Sequence, residues 1–184
     1  DRGNHLHGGT SGFNKKVWKV KSLTRENNEA GVIMEYLSAD GEEGYPGNLW
    51  ITVKYILNAD NQLKIIYDAV TDKSTPINLS NHSYFNLSGF KSPNILNHTL
   101  QINAQAYTEN NQYDIPTGNI LLVGSSPMNF LKAKAIGADI SDLKDSDGYN
   151  HNFILDDYFP GKVRLAATLS DPVSGRVLNV YTYR

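Results

Sequence analysis

Nine residues constrain this chain more than any others. From Leu49 to Leu57, apolar and mixed positions alternate without interruption. Leu49, Ile51, Val53, Tyr55 and Leu57 point one way, and Trp50, Thr52, Lys54 and Ile56 point the other. A period of two belongs to a β-strand with one buried face, because successive side chains leave opposite sides of the pleat. Asn58-Ala59-Asp60-Asn61 is a turn by composition. Leu63 to Val70 then returns with Leu63, Ile65, Tyr67 and Ala69 on one face and Lys64, Ile66, Asp68 and Val70 on the other. The pair reads as an antiparallel hairpin over a core.

The rest of the chain repeats the theme. Val17 to Leu23 and Val32 to Ser38 read as strands, with Glu29-Ala30-Gly31 turning between them. Further strands are expected at Thr99 to Ala104, Ile120 to Val123, Asn152 to Leu155, Val163 to Leu169 and Val177 to Tyr183. The last two flank a loop of turn formers, Ser170 to Gly175. Only Leu131 to Leu143 has much helical character, and Gly137 weakens it. Short strands separated by Gly, Pro and Asn favour an antiparallel sandwich over a βαβ fold. No Gly/Ser linker divides the 184 residues, so residues 1–184 are expected to form a single domain.

Composition removes several function classes. The formal net charge of -2 carries no electrostatic footprint for nucleic acid. No apolar run approaches the roughly 18 residues of a membrane helix. With no cysteine, disulfide scaffolds, thiolate zinc sites and cysteine nucleophiles are all excluded. No P-loop, no strand-linked Gly-x-Gly-x-x-Gly and no Gly-x-Ser-x-Gly elbow is present.

Five histidines remain as candidate chemistry: His5, His7, His82, His98 and His151. His5 and His7 stand two apart in Asn4-His5-Leu6-His7-Gly8-Gly9. In an extended segment they would face the same way. A metal reading lacks a third ligand, and a polar loop accounts for the pair equally well. His82 lies in Pro76-Ile77-Asn78-Leu79-Ser80-Asn81-His82-Ser83-Tyr84-Phe85-Asn86-Leu87, a stretch without a single charge. Amides that bond hydroxyls and rings that cover C–H faces suit a sugar pocket; a histidine satisfied in a polar turn is the plainer alternative. Gly148-Tyr149-Asn150-His151-Asn152-Phe153 is a second such cluster, preceded by Asp145 and Asp147 as solvated loop charges or ligands. The sequons at Asn78, Asn81, Asn86 and Asn97 are what an Asn-rich chain throws up by chance.

These segments, taken in order, resemble the aldose 1-epimerase (galactose mutarotase) family. The resemblance rests on Asn4-His5-Leu6-His7-Gly8-Gly9 with Gly12-Phe13 and Trp18, then Gly44-Tyr45-Pro46-Gly47-Asn48-Leu49, then Thr75 to Leu87. Ile115-Pro116-Thr117-Gly118, Gly148-Tyr149-Asn150-His151 and Asp171-Pro172-Val173-Ser174-Gly175-Arg176 follow. It implies an all-β fold, a large antiparallel β-sandwich of the galactose mutarotase type, here incomplete at both ends. It implies interconversion of the α and β anomers of hexoses such as galactose and glucose, with no metal and no cofactor. By the same resemblance His82 matches the general acid on the ring oxygen, and His7 the second histidine beside it. Asn81 and Tyr84 flank the acid and shape its pocket, and Asn150 stands where the family usually has an aspartate that holds sugar hydroxyls.

Departures from the family pattern matter too. The family's base glutamate matches no residue of this chain: Glu26, Glu29, Glu35, Glu42, Glu43 and Glu109 all lie outside its motif. The family's substrate arginine has no counterpart either, since Arg2 is out of context, and Asn129 replaces a second aspartate. A truncated or vestigial, non-catalytic sugar-binding protein is therefore the rival reading. A sugar-phosphate relative would need cations around His82, which the segment lacks, and a polysaccharide lyase on the same sandwich fits the motifs less well. A sandwich open at its ends is expected to self-associate through exposed strand edges. The cytoplasm is the default compartment.

Overall fold

The computed structural model describes residues 3–90, 92–143 and 148–183, so Arg2, Asp145 and Asp147 lie outside the described residues. The chain divides into two compact units, Asp1–His82 and Ser83–Arg184. Among the described residues both are antiparallel β structure with three short 3₁₀ turns and no α-helix, and no helix is long and apolar enough to cross a membrane.

The first unit is a meander of β1 (Lys19–Glu26), β2 (Glu29–Ser38), β3 (Leu49–Asn58) and β4 (Leu63–Thr71), in that spatial order. The alternation of β3 is realised as expected. Leu49, Ile51 and Val53 are buried, and Phe13, Trp18, Tyr36, Tyr55, Ile65, Tyr67 and Leu79 pack against them. On the opposite face Leu37, Trp50 and Val70 form an exposed cross-strand ladder. The β3–β4 turn is closed by Asn58, whose Oδ1 accepts the N–H groups of Asp60 (3.0 Å) and Gln62 (2.9 Å), a side chain imitating a backbone turn.

The β1–β2 turn differs from the expectation. It falls on Asn27 and Asn28, at φ 48° and 63°, with Glu26 paired to Glu29. A two-residue hairpin loop needs positive φ at both positions, which asparagine tolerates. Gly31 is instead inside β2, where an added Cβ would stand 2.7 Å from the Tyr55 carbonyl oxygen. That glycine permits close strand approach rather than a turn.

The second unit holds two sheets. β11 (Val177–Thr182), β10 (Arg164–Ser170), β5 (Thr99–Ile102) and β8 (Lys134–Ala135) form one, in that order. β7 (Pro116–Leu122), β6 (Ala106–Asn110) and β9 (Phe153–Ile154) form the other. Ala104, Val123, Met128, Phe130, Ala166 and Leu169 are its buried apolar residues. The segment with helical character, Leu131 to Leu143, forms no α-helix, only a 3₁₀ turn at Ile140–Asp142. Its backbone bonds point outward: Ile136 N–H donates to the His98 carbonyl (2.9 Å) and Gly137 N–H to that of Leu96 (2.8 Å). Gly137 also lies so close that a Cβ would meet Leu96 Cβ at 3.0 Å. Pairing with β5 replaces the i→i−4 ladder, and helix propensity loses to tertiary contact. β6 and β8 were not legible in the sequence, since neither Ala106–Asn110 nor Lys134–Ala135 alternates strongly.

Three side chains pin the stretch after Tyr84. Buried His98 accepts the Leu87 N–H at Nε2 (3.1 Å), Arg176 Nη1 donates to the Leu87 carbonyl (2.9 Å), and Ser88 Oγ donates to Asp171 (2.8 Å). Hydrogen bonding from Ser174, ahead of that from Ser88 and the Val173 N–H, holds the Asp171 carboxyl down to about 2, against the opposing effect of its burial. A carboxyl with a depressed folded-state pKa stabilises the fold fully above its unfolded value of about 3.9. That contribution is lost as pH falls through about 2. Asp171→Asn should therefore lower the urea midpoint at neutral pH. The gap to the parent chain should close as pH drops from about 4 toward 2; a gap independent of pH would contradict this account.

Candidate functional site

The site in the first unit is built from a loop, a turn and the end of the unit. Gly8 and Gly9 take φ 81° and 99°, and His7 itself sits at φ 52°. That left-handed residue turns the chain, so the segment is not extended there, and the two histidines meet different rings. His5 packs edge-on against Tyr45, with ring centroids 5.3 Å apart. His7 meets His82, ring centroids 5.2 Å apart and planes at 71°. Two histidines 75 positions apart in sequence are thus brought together. Both are exposed, so each ring can present a nitrogen to a ligand, as donor or acceptor.

Asn81, the residue before His82, reaches a phenol of the core sheet. Asn81 Nδ2 donates to the Tyr55 hydroxyl at 3.4 Å. Burial first, and the neighbouring Tyr55 second, push the Tyr67 hydroxyl up. Tyr67 therefore stays a neutral phenol through the neutral range. The bond to Tyr55 ties Asn81 to β3 of the core sheet.

The loop that carries His7 is fastened by an acidic pair that motif matching set aside. Glu42 accepts from Tyr36 (2.7 Å) and Ser38 (3.2 Å) and pairs with Lys16 (3.4 Å). Burial, then the Glu42 carboxylate, push the Tyr36 hydroxyl up to about 12. Glu43 accepts the N–H groups of Thr10 (2.8 Å) and Ser11 (2.9 Å). The legible signal was a glycine pair two residues after an Asn-His, with no strand character between. Such loops present backbone N–H groups that need an acceptor.

The remaining expected residues belong to the second unit. Tyr84 is 89% exposed. Asn150 is exposed between two half-buried neighbours. Tyr149 packs on Phe130 with centroids 4.9 Å apart, and His151 packs on Tyr107 at 5.5 Å. The Asn150 carbonyl accepts from Asn110 Nδ2 (3.0 Å). With 149 and 151 turned inward, the backbone directs residue 150 outward. Burial lowers the His151 pKa, against a weaker pull from Asp114, so its imidazole is neutral near pH 7. That is a packing role for His151, whereas His98 is a buried acceptor for the Leu87 N–H.

Comparison with known proteins adds a family. The family model described as aldose 1-epimerase matches residues 1–184. The galactose mutarotase of Mus musculus is 41% identical over 179 residues, covering 97% of this chain and 50% of the mouse protein. The aldose 1-epimerase of Escherichia coli (strain K12) is 37% identical over 182 residues, covering 97% and 51%. The crystal structure of galactose 1-epimerase from Lactobacillus acidophilus NCFM is similar at a TM-score of 0.79 and 34% identity, over 91% of this chain and 48% of that one. The chain spans about half the length of the curated relatives it matches.

The loop geometry makes a local forecast. A Cβ on Gly12 would stand 2.2 Å from the His7 carbonyl oxygen, a backbone atom that cannot swing aside, whereas Gly41 has open space and only its φ of 87° to oppose substitution. Gly41→Ala should cost about 1 kcal/mol. Gly12→Ala should cost about 2–3 kcal/mol, the range of an overpacked site. Urea denaturation of both variants checks the order, and equal costs would refute the packing argument.

Proposed function

The chain belongs to the aldose 1-epimerase family, and on that premise we propose that it carries the acid side of a site that interconverts the α and β anomers of hexoses such as galactose and glucose. The observation that supports this reading best is the His7–His82 contact, ring centroids 5.2 Å apart. Opening a cyclic hemiacetal needs one proton delivered to the ring oxygen and one removed from the C1 hydroxyl. His82 is the donor in this proposal. An imidazole can both give and take a proton, which suits the general acid role. His7 stands beside it, where it can orient the imidazole or share the ring oxygen. The aldehyde then rotates about C1–C2 and recloses on its other face, with His82 taking its proton back. The C1–ring-oxygen bond breaks as the C1 carbonyl forms and is remade on reclosure, with no change of oxidation state overall and only protons exchanged with the protein, so the proposal assigns no metal and no cofactor.

Asn81, Tyr84 and Asn150 are proposed as sugar-binding residues. An amide and a phenol bond hydroxyls, and an exposed ring covers a C–H face. Asn150 keeps hydrogen bonding without charge, so it binds hydroxyls as donor and acceptor rather than as an anion. No base is assigned to Glu42 or Glu43, since both carboxylates are committed to Tyr36, Ser38, Thr10 and Ser11. We also propose that the two units belong to one sandwich domain. The strand edges of β1 and β7, exposed along their lengths, support self-association.

Polarimetry on freshly dissolved α-glucose and α-galactose tests the reading. The samples are the 184-residue chain and a chimera that joins it to the segments of the Escherichia coli relative it does not match. The chimera should accelerate mutarotation, and His82→Asn in the chimera should slow it about 10²–10⁴-fold, the usual worth of a general acid. The chain alone should stay near the water rate. A chimera that is fast with Asn at position 82 overturns the assignment of the acid.

A further inference from the structure

We infer that Glu43 is a positioning residue: its carboxylate holds the loop that sets the His7 imidazole against His82. The inference rests on the acid-side reading above and adds to it a residue outside the family motifs quoted for this chain.

Both oxygens of Glu43 are used. Oε2 accepts the Thr10 N–H at 2.8 Å and Oε1 accepts the Ser11 N–H at 2.9 Å. Successive N–H groups converging on one anion form a concave anion seat, and bonds to a charged acceptor are roughly twice as strong as neutral ones. Gly9 completes the seat, because an added Cβ there would lie 2.1 Å from Glu43 Oε2. From that seat to His7 is three residues, and the turn is shut at both ends. The Gly9 N–H donates to the Leu6 carbonyl (3.0 Å), and Gly12 abuts the His7 carbonyl.

Glu43 is itself held. Its neighbour Glu42 faces the sheet and is fastened to Tyr36 and Ser38 of β2. Two consecutive carboxylates thus bind opposite partners, one the sheet and one the loop. Their shared backbone is bent sharply, with Glu43 at φ 52° and ψ 21°. A non-glycine residue keeps that conformation only when its surroundings over-determine it. His7 carries the same φ of 52°. The two strained residues therefore stand at the two ends of one hydrogen-bonded path from β2 to the His7–His82 contact. Because both of its oxygens face backbone N–H groups, Glu43 shapes the site and does not take the C1 proton.

The test has two arms. In the first, the cross-ring NOE between His7 and His82 is measured in the 184-residue chain. It should be present in the parent and lost in Glu43→Ala, while tryptophan fluorescence from Trp18 and Trp50 stays native-like. In the second, the chimera is assayed by polarimetry. Glu43→Ala should lower kcat about 10²-fold with KM within about twofold, as expected when a reacting group is displaced by about an ångström. Glu43→Gln, which keeps one acceptor and turns a donor toward the other N–H, should fall between. If Glu43→Ala does not fold, Glu43→Gln carries both arms, since it preserves size. An NOE that survives Glu43→Ala overturns the inference. So does an unchanged kcat in a chimera whose His82→Asn variant is slow. If His82→Asn is as fast as the parent, the acid reading fails instead, and the NOE arm alone decides the role of Glu43.

Discussion

One buried face governs the first unit. Ile51 is 1% exposed, with Leu49 and Val53 beside it on the same side of β3. Sliding β3 by one residue would turn all three to water. Each such side chain contributes about 1.5–3 kcal/mol when buried, so the register is held strongly. The register then decides what lies where. Tyr36 pairs with Ile51 and so falls on the core face, from which its hydroxyl reaches Glu42. Trp50, one step along, pairs with Leu37 and Val70 on the outside. The fastening of the histidine loop is thus a consequence of hydrophobic alternation in a core strand.

Two strained residues, His7 and Glu43, stand where the chemistry is proposed. Asn27, Asn28 and Asn61 take positive φ in hairpin turns, where asparagine does so cheaply. His7 and Glu43 take it without that excuse. Their conformations cost free energy that hydrogen bonds from Thr10 and Ser11 and the core contacts of Tyr36 offset. The second unit, where Asp114 and Asp157 also take positive φ, holds a strandless segment with side-chain hydrogen bonds. It grips Leu87 and Ser88 through His98, Arg176 and Asp171, so the stretch after Tyr84 is held although it contains no strand.

The family relation gives these details a chemical context. Hexose anomerisation asks little of a protein: two protons moved at neighbouring oxygens, and a sugar held while its ring opens. Exposed histidines, amides and aromatic faces supply what the proposed acid side requires. The burden falls on geometry, since an imidazole misplaced by an ångström donates poorly. That is why a carboxylate with no part in proton transfer can matter to the rate.

Much of this was legible in the linear chain. The alternation of Leu49 to Leu57, the Asn58 to Asn61 turn and the loop at Ser170 to Gly175 are short-range patterns. Their meaning depends only on neighbours two to four residues away. The uncharged run around His82 was legible for the same reason. Other features were not. The true β1–β2 turn at Asn27 and Asn28, the two-residue β8 and the loss of helix after Leu131 depend on which strand lies alongside. The His7–His82 contact and the Glu43 seat depend on where a loop, a turn and a distant segment meet. Local periodicity by itself determined that the chain is β and which faces are buried, because a strand's side chains alternate whatever surrounds it. Only the tertiary structure decided which residues meet, because a backbone N–H seeking an acceptor finds it in space and not along the sequence.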